Sequence, residues 1–152
     1  MLKNIRNDLL YLLGILNAIT KIRKYSKNIS NAEELFKIND QLNYNACLNL
    51  LSFIGENANK LSDELLLKYK KEADWSRIIN FRNRIVHDYQ GLDIFIVYRI
   101  INDYLSGLEI NICKIIENEL LLRNFDKEEY LLAKNNEYYK FIDFAKIKFP
   151  LS

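Results

Sequence analysis

The stretch DWSRIINFRNRIVHDYQGLDIFIVYRII, residues 74–101, contains two helix starts and one break. Asp74 and Asp93 are typical N-cap residues, because a carboxylate accepts hydrogen bonds from the free N–H groups of a first helical turn. After each of them apolar residues recur at steps of three and four: Trp75, Ile78, Ile79, Ile85 and Val86, then Ile94, Val97 and Ile101. This spacing is typical of amphipathic helices. We therefore expect two helices, with Gly91 breaking or bending the chain between them.

The same spacing predicts helices in the rest of the chain. One helix is expected at residues 3–24 and another at 40–60, whose inner stripe would be Leu42, Ala46, Leu50, Phe53 and Ile54. The long helix that Asp93 opens should continue through Tyr104, Leu108, Ile112 and Ile115. Further helix starts are predicted at Ser30 with Glu33, at Asp40, at Ser62, and at Asp126 with Glu129, with Pro150 as the last stop.

Composition points to the same fold class. The 152 residues include only four glycines and one proline, and no strand-like alternation is present. A chain with so few turn-forming residues favours long helices over hairpins. With 49% apolar and 28% charged residues it resembles an ordinary soluble domain. The sequence therefore predicts an all-α antiparallel bundle of four to five main helices.

Membrane and metal chemistry are not expected. The first 25 residues are amphipathic and interrupted by Arg6, Asp8 and Asn17, so they predict neither a signal peptide nor a span, and we expect a cytoplasmic protein. Cys47 and Cys113 lie in apolar runs without metal-ligand spacing and are expected to be buried thiols in a reducing compartment. With a single histidine and no acidic cluster, neither a metal nor a cofactor is predicted.

The single histidine, His87, lies in the most basic part of the chain. The net charge is only +2, but basic residues outnumber acidic ones within residues 68–84. The acidic residues there are Glu72 and Asp74, and the six basic ones are Lys68, Lys70, Lys71, Arg77, Arg82 and Arg84. On a helix Asn83 and Arg84 flank His87, whereas Arg82 lies about 140° around the axis. A bend at Gly91 would bring Arg82, His87 and Tyr89 toward one cleft.

The chemistry that these side chains offer is narrow. An imidazole takes and returns a proton near neutral pH. A guanidinium binds a phosphate at two points and stabilises charge in a transition state, while Asn83 is suited to orient either the imidazole or the phosphate. This set suits metal-free RNA cleavage, in which the 2′-OH of the substrate attacks the adjacent phosphate. From spacing alone, a structural histidine beside a solvated charged face remains the alternative.

The segment RNRIVHDYQGLD resembles the motif of HepT-like proteins of the HEPN superfamily, Arg-x4-His-x-Tyr. NLLSFIGENANKLSDEL is similar to the second helix of that family and the following turn, and residues 74–101 are similar to its motif helix and the next one. The resemblance covers roughly residues 3–120. The family commonly has a proline before the tryptophan, where this chain has KEADW, and Asp74 serves as a cap instead. Residues 123–152 have no counterpart.

The resemblance implies a HEPN-like helical domain at residues 1–122, with a C-terminal extension at 123–152. It also implies a homodimer in which Arg82 and His87 of both subunits meet across a two-fold cleft. Members of the HepT-like family are similar to metal-independent endoribonuclease toxins of toxin–antitoxin pairs. The antitoxins of these toxins are MntA-like nucleotidyltransferases. Some of them transfer AMP to the tyrosine of the motif, which is Tyr89 in this chain. An added AMP opposes RNA binding by charge and by volume.

These expectations give each candidate residue a role and an alternative. Arg82, His87 and Asn83 are the predicted catalytic residues. Arg84 and Arg77 are predicted to bind RNA, although Arg84 is also suited to a solvated position or an interface ion pair. Glu56 is either an active-site contact or a buried partner of an arginine. Two other functions remain open: a non-catalytic HEPN dimer that binds nucleotide or RNA or docks a nucleotidyltransferase, and a purely structural dimer.

Overall fold

The computed structural model describes residues 8–149, in which every regular element is helical. The predicted start of the first helix near Lys3, with Ile5, and the predicted stop at Pro150 lie outside the described residues. The helices are α1 Asp8–Tyr25, α2 Ala32–Lys37, α3 Leu42–Lys60, α4 Asp63–Lys68, α5 Trp75–His87, α6 Ile94–Arg99, α7 Leu105–Leu121 and α8 Lys127–Lys134. The expected all-α fold is confirmed. No helix of the described chain is long and apolar enough to cross a membrane.

Helix α1 is the central element of the bundle. Residues 12–19 are all buried, so the helix is covered on nearly every side and not on one face only, as its amphipathic pattern suggested. Its two ends show that α3 runs antiparallel to it. Asp8, at its start, accepts hydrogen bonds from the backbone N and hydroxyl of Ser62, at 2.8 and 2.6 Å. At its end, Asn43 donates a 2.8 Å bond to the carbonyl of Tyr25.

Helix α5 packs against α3, and Gly55 sets how closely the two approach. A Cβ at Gly55 would lie 2.2 Å from Cβ of Arg82 and 3.2 Å from the carbonyl oxygen of Ile78. The absence of a side chain at this position therefore lets the α5 backbone lie against α3. This close approach holds Arg82 beside the outer face of α3.

The predicted inner stripe of α3 is wrong by one step. Ile54 is buried as expected, but Leu42 is 66% exposed, and Leu50 and Phe53 are only partly buried. The buried side chains of α3 are Tyr44, Cys47, Leu48, Leu51, Ile54, Asn57 and Ala58. The buried face of α3 differs from the predicted stripe because α3 packs between two helices, α1 and α5. Its buried face is therefore wider than one apolar row.

The long helix opened by Asp93 is continuous, but it contains a π-helical turn at Ile100–Tyr104. The π-helical turn contains one more residue than an α-helical turn, which shifts the buried face by one position. Leu105 is therefore buried instead of the predicted Tyr104, which is 36% exposed. Leu108, Ile112 and Ile115 are buried as predicted. The structure thus corrects the inner face at Tyr104 and confirms it beyond.

Four predicted caps are confirmed, and two predicted starts are wrong. Ser62, Asp74, Asp93 and Asp126 each accept a bond from a backbone N–H of the following turn. The cap of α2 is Asn31, one residue after Ser30, and Glu34 instead of Glu33 accepts a bond from the Ser30 N–H. Asp40 is not a cap: Asn39, Asp40 and Gln41 all have positive φ, at 51, 54 and 71°, and α3 begins without a side-chain cap.

The last described part of the chain packs onto α1 and α7. Helix α8 ends at Lys134, well before the predicted end near residue 149, and short 3₁₀ turns follow. Asn136 and Asp143 start these turns by accepting bonds from Tyr138 N and Ala145 N, which is a local alternative to helix for short polar side chains. Glu109 of α7 anchors the segment through Lys146 at 3.0 Å.

Candidate ribonuclease site

Helix α5 carries the motif, and each predicted residue has a distinct position on it. Asp74 caps its N-terminus, and Trp75 and Ile85 are its buried side chains. The helix ends at His87, because Asp88 leaves helical geometry with φ −142° and ψ 54°. The helix therefore ends four residues before Gly91, the position at which the sequence predicted a break or a bend.

Arg82 is held at the junction of α3 and α5. Its Nη1 donates a 3.1 Å bond to Oδ1 of Asn83, and its Nη2 lies 3.3 Å from Oε1 of Glu56. The two ion-paired side chains are 31% and 42% exposed, so the guanidinium is reachable from solvent. Its Nε–H has no hydrogen-bond partner among residues 8–149. Glu56 is thus the arginine partner, and Asn83 orients the guanidinium, not the imidazole.

His87 is exposed at the C-terminal end of α5. Within residues 8–149, no hydrogen bond joins it to Arg82 or Asn83. Five residues along a helix place Arg82 and His87 about 140° apart around the axis, so their side chains leave α5 in different directions. An exposed imidazole without a fixed partner is available to an incoming group.

Tyr89 turns toward α3. Its hydroxyl donates to Oδ1 of Asn45, and its ring is 45% exposed. Partial burial raises the pKa of the Tyr89 phenol. Arg82 thus contacts Glu56 of α3, and Tyr89 contacts Asn45 of α3. Asn45 and Glu56 lie on the same side of α3, because eleven residues make about three helical turns.

Arg77 and Arg84 lie on another side of α5. They line a groove of about 620 Å³ between α5 and the α6–α7 helix, together with Arg99. Apolar side chains such as Phe81 and Ile96 form its walls. Because residues two apart on a helix are about 200° apart around the axis, Arg84 cannot share the face of Arg82. Arg77 and Arg84 therefore lie away from Arg82, whereas Arg84 is three residues from His87 and shares a face of α5 with it.

Two residues close to the motif were not predicted from the sequence. Asn45 and Gly55 come close to the motif only because α3 packs beside α5, and their positions 44 and 27 residues before Tyr89 and Arg82 carry no local signal.

Both cysteines are buried as predicted, and burial raises the pKa of Cys47 to about 12 and of Cys113 to about 11. In the described part of the chain, no group of three histidine, cysteine or acidic side chains is placed to hold a metal ion.

The all-helical bundle and the Arg-x4-His motif on α5 agree with the HEPN-like helical fold that the resemblance implies. A family model described as ribonuclease HepT-like matches residues 15–115, so the chain belongs to the HepT-like ribonuclease family. It is also similar to a Methanocaldococcus jannaschii protein named "Putative RNase MJ1380", with 25% identity over 93 residues that cover 61% of this chain and 82% of that protein. No solved structure matches the chain significantly.

Proposed function

We propose that this protein is the toxin of a HepT/MntA-type toxin–antitoxin system and that it cleaves RNA in the cytoplasm without a metal ion. The observation that carries the proposal is the motif helix: Arg82 is oriented by Asn83 and Glu56, and His87 is exposed and unengaged one and a half turns away. The family match and the name of the archaeal relative support ribonuclease chemistry.

In the proposed reaction the 2′-oxygen of the RNA attacks the adjacent phosphorus, and the bond to the 5′-oxygen breaks. The products are a 2′,3′-cyclic phosphate and a free 5′-OH. His87 accepts the proton of the attacking 2′-OH or donates one to the leaving oxygen. Arg82 stabilises the charge on the phosphate. An exposed ion pair is worth only about 0–1 kcal/mol, so a phosphate readily replaces Glu56 at the guanidinium.

The proposed active form is a homodimer. One chain holds Arg82 and His87 about 140° apart on α5, so a site that uses both needs a second copy or a large movement. A two-fold contact would place two imidazoles in one cleft, where one acts as base and the other as acid. Mixed dimers of Arg82→Ala and His87→Ala subunits would then regain part of the activity that each variant lacks alone.

The proposed partner is an MntA-like nucleotidyltransferase that modifies Tyr89. The phenol oxygen attacks the α-phosphate of ATP, the bond to the leaving pyrophosphate breaks, and the phenol proton is released. The added phosphate and base then oppose RNA binding in a basic region. Intact mass with peptide mapping tests this step: an AMP-sized gain upon co-expression, lost in Tyr89→Phe, supports it, and no gain removes Tyr89 as the modified residue.

The reaction class is tested by RNA cleavage in EDTA. The protein should cut RNA at full rate without divalent ions and leave a matched DNA strand intact. A single 2′-deoxy nucleotide before the scissile phosphate should block cleavage of the RNA at that site. Cleavage that stops in EDTA, or that continues at the 2′-deoxy position, would contradict the mechanism.

A further inference from the structure

The groove between α5 and the α6–α7 helix combines positive charge with an apolar surface. Its volume is about 620 Å³, and its charged side chains are Arg77, Arg84, Arg99 and Asp103. Its apolar side chains are not fully covered by the fold. Ile96 is 41% exposed and Tyr104 36% exposed, and Phe81 is only partly buried. The groove therefore offers both cations and uncovered apolar groups to an occupant.

The three arginines of this groove have no partner within the described chain. Arg77, Arg84 and Arg99 are exposed. Among residues 8–149, their guanidinium groups form neither an ion pair nor a side-chain hydrogen bond. Asp103, the acidic residue of the groove, instead accepts a 3.4 Å bond from the side-chain nitrogen of Asn102. The positive charge of the groove is therefore not compensated by the described chain and suits an anionic occupant.

The groove follows the face of α5 that carries His87. Arg77, Phe81 and Arg84 lie at steps of four and three residues, so they form one row along the helix. His87 comes three residues after Arg84, on the same face. Ten residues separate Arg77 from His87, which corresponds to about 15 Å along the helix axis. A chain that lies in the groove would therefore reach the imidazole at the end of α5.

The mixture of guanidinium and apolar groups favours a single strand over a duplex. An RNA duplex presents phosphates and 2′-hydroxyls and keeps its bases stacked inside, so the apolar side chains would gain no partner from it. An unpaired base presents a face that stacks on aromatic side chains such as Phe81 and Tyr104. The groove volume lies within the usual range of about 300–1,000 Å³ for ligand pockets, so it accommodates at least one nucleotide.

We propose that this groove binds unpaired RNA nucleotides next to the cleaved phosphate and thereby selects single-stranded RNA as the substrate. Its arginines bind phosphates, and its aromatic side chains contact the bases. Arg99, which lies on α6 and outside the motif helix, is then a substrate-binding residue. This inference rests on the proposed ribonuclease function and adds to it a class of substrate and a path for the strand.

Two substitutions on α6 test the groove and leave the motif helix unchanged. Arg99→Gln removes one positive charge, and Ile96→Glu puts a carboxylate among the apolar groups. In the His87→Ala background, which should keep the RNA intact, each should weaken binding of single-stranded RNA by at least about threefold at low salt. Arg99→Gln should also reduce the slope of log affinity against log salt by about 0.7. Single-stranded DNA should show the same differences with an otherwise wild-type protein, because binding in the groove does not need the 2′-OH.

The chain offers a matched control for each substitution. Lys114→Gln and Ile110→Glu make the same changes of charge at exposed positions of α7 that do not line the groove. Both controls should bind single-stranded RNA as tightly as the parent protein. Urea unfolding of all four variants shows whether a loss of affinity comes from a loss of folded protein.

The outcomes separate failure of this inference from failure of the ribonuclease proposal. Weaker binding by both groove variants, without any cleavage by wild type, would support the groove and refute the ribonuclease. Cleavage by wild type, with unchanged RNA affinity in both variants, would overturn the groove alone. Equal affinity for duplex and single-stranded RNA of the same length would overturn the selection of single strands.

The same variants also test other occupants of the groove. Light scattering measures their oligomeric state, and co-purification measures their binding to the candidate nucleotidyltransferase. A change in either property with unchanged RNA affinity would overturn the proposal, because the groove would then be a contact with a second copy or with a protein partner.

Discussion

The guanidinium of Arg82 lies against the carboxylate of Glu56, with Nη2 3.3 Å from Oε1. The pair joins the motif helix α5 to α3, and Asn83 holds the other nitrogen of the guanidinium at 3.1 Å. We therefore expect Glu56 to compete with a phosphate for Arg82. In the structure the ion pair partly neutralises the arginine.

Removing the charge of Glu56 should strengthen RNA binding. In Glu56→Gln the free guanidinium adds one positive charge to the site, and we expect the affinity for single-stranded RNA to rise by up to about fivefold at low salt. The free energy of unfolding should change by less than about 1 kcal/mol, because the pair is exposed. Titration with fluorescent RNA measures the first effect and urea unfolding the second.

Glu137→Gln is the matched control, since Glu137 also forms an exposed ion pair, with Lys140 at 2.8 Å. It should leave RNA affinity unchanged. Equal affinity of Glu56→Gln and wild type would mean that Glu56 does not compete with the RNA.

Gly55 should not tolerate a side chain. In Gly55→Ala the new methyl group would lie 2.2 Å from Cβ of Arg82, so α5 must move away from α3. We expect a loss of about 1–3 kcal/mol in the free energy of unfolding and a large loss of RNA cleavage. Gly107→Ala is the control, because nothing lies within 4 Å of a Cβ there, and it should stabilise helix α7 by up to about 1 kcal/mol. Equal effects of the two substitutions in urea unfolding would contradict the close packing.

Acid should destabilise the protein partly through Glu109. Burial raises the pKa of Glu109, but the hydrogen bonds and charges of Arg23 and Lys146 lower it by more, so the pKa lies below its ordinary 4.5. A lowered pKa in the folded state gives stability that is present above the ordinary pKa and is lost as the pH falls through the folded value. Wild-type stability should therefore fall below about pH 5, and Glu109→Gln should show a shallower fall.

At pH 7 the Glu109→Gln protein should be less stable than wild type by about 1–3 kcal/mol, since charge-assisted hydrogen bonds are lost. Exposed Glu33→Gln serves as the control and should follow the wild-type pH curve. Parallel pH curves for Glu109→Gln and wild type would refute the assignment.

The three consecutive residues with positive φ before α3 store conformational strain. Asp40 has φ 54°, a region that residues with a Cβ adopt at a cost and glycine adopts freely. Asp40→Gly should therefore raise the free energy of unfolding by about 0.5–1 kcal/mol, measured in urea. Asp143→Gly, at φ −82°, should lower it, because it removes a turn cap and adds chain entropy. A loss of stability in Asp40→Gly would show that the strain is absent.

Local signals in the sequence predicted most of the helical frame. Caps such as Ser62, Asp74 and Asp93 were predicted correctly because each satisfies N–H groups within three residues of itself. Asp40 was wrongly predicted as a cap, since this typical cap residue lies inside a left-handed turn. The end of α8 was missed because Asn136 caps a 3₁₀ turn instead of continuing the helix.

The site itself was predictable only in part. The motif placed Arg82, Asn83 and His87 on one helix, and this is confirmed. Glu56 pairs with an arginine as predicted, but its side chain is 42% exposed and not buried. The contact of Tyr89 with Asn45 depends on how α3 packs beside α5. Such contacts between distant positions leave no periodic pattern in the chain. The catalytic, RNA-binding and modification roles of the site residues stay predictions.

The proposed proton transfer by His87 can be decided by comparing His87→Ala with the wild-type protein. The rate of RNA cleavage in EDTA is measured for wild type and His87→Ala, together with RNA affinity and the unfolding curve. Because His87 is exposed at a helix end, we predict an unchanged fold and near wild-type RNA affinity, with cleavage reduced by at least about 100-fold. Cleavage by His87→Ala at the wild-type rate would contradict the account. Binding without cleavage by either protein would favour a non-catalytic RNA-binding dimer.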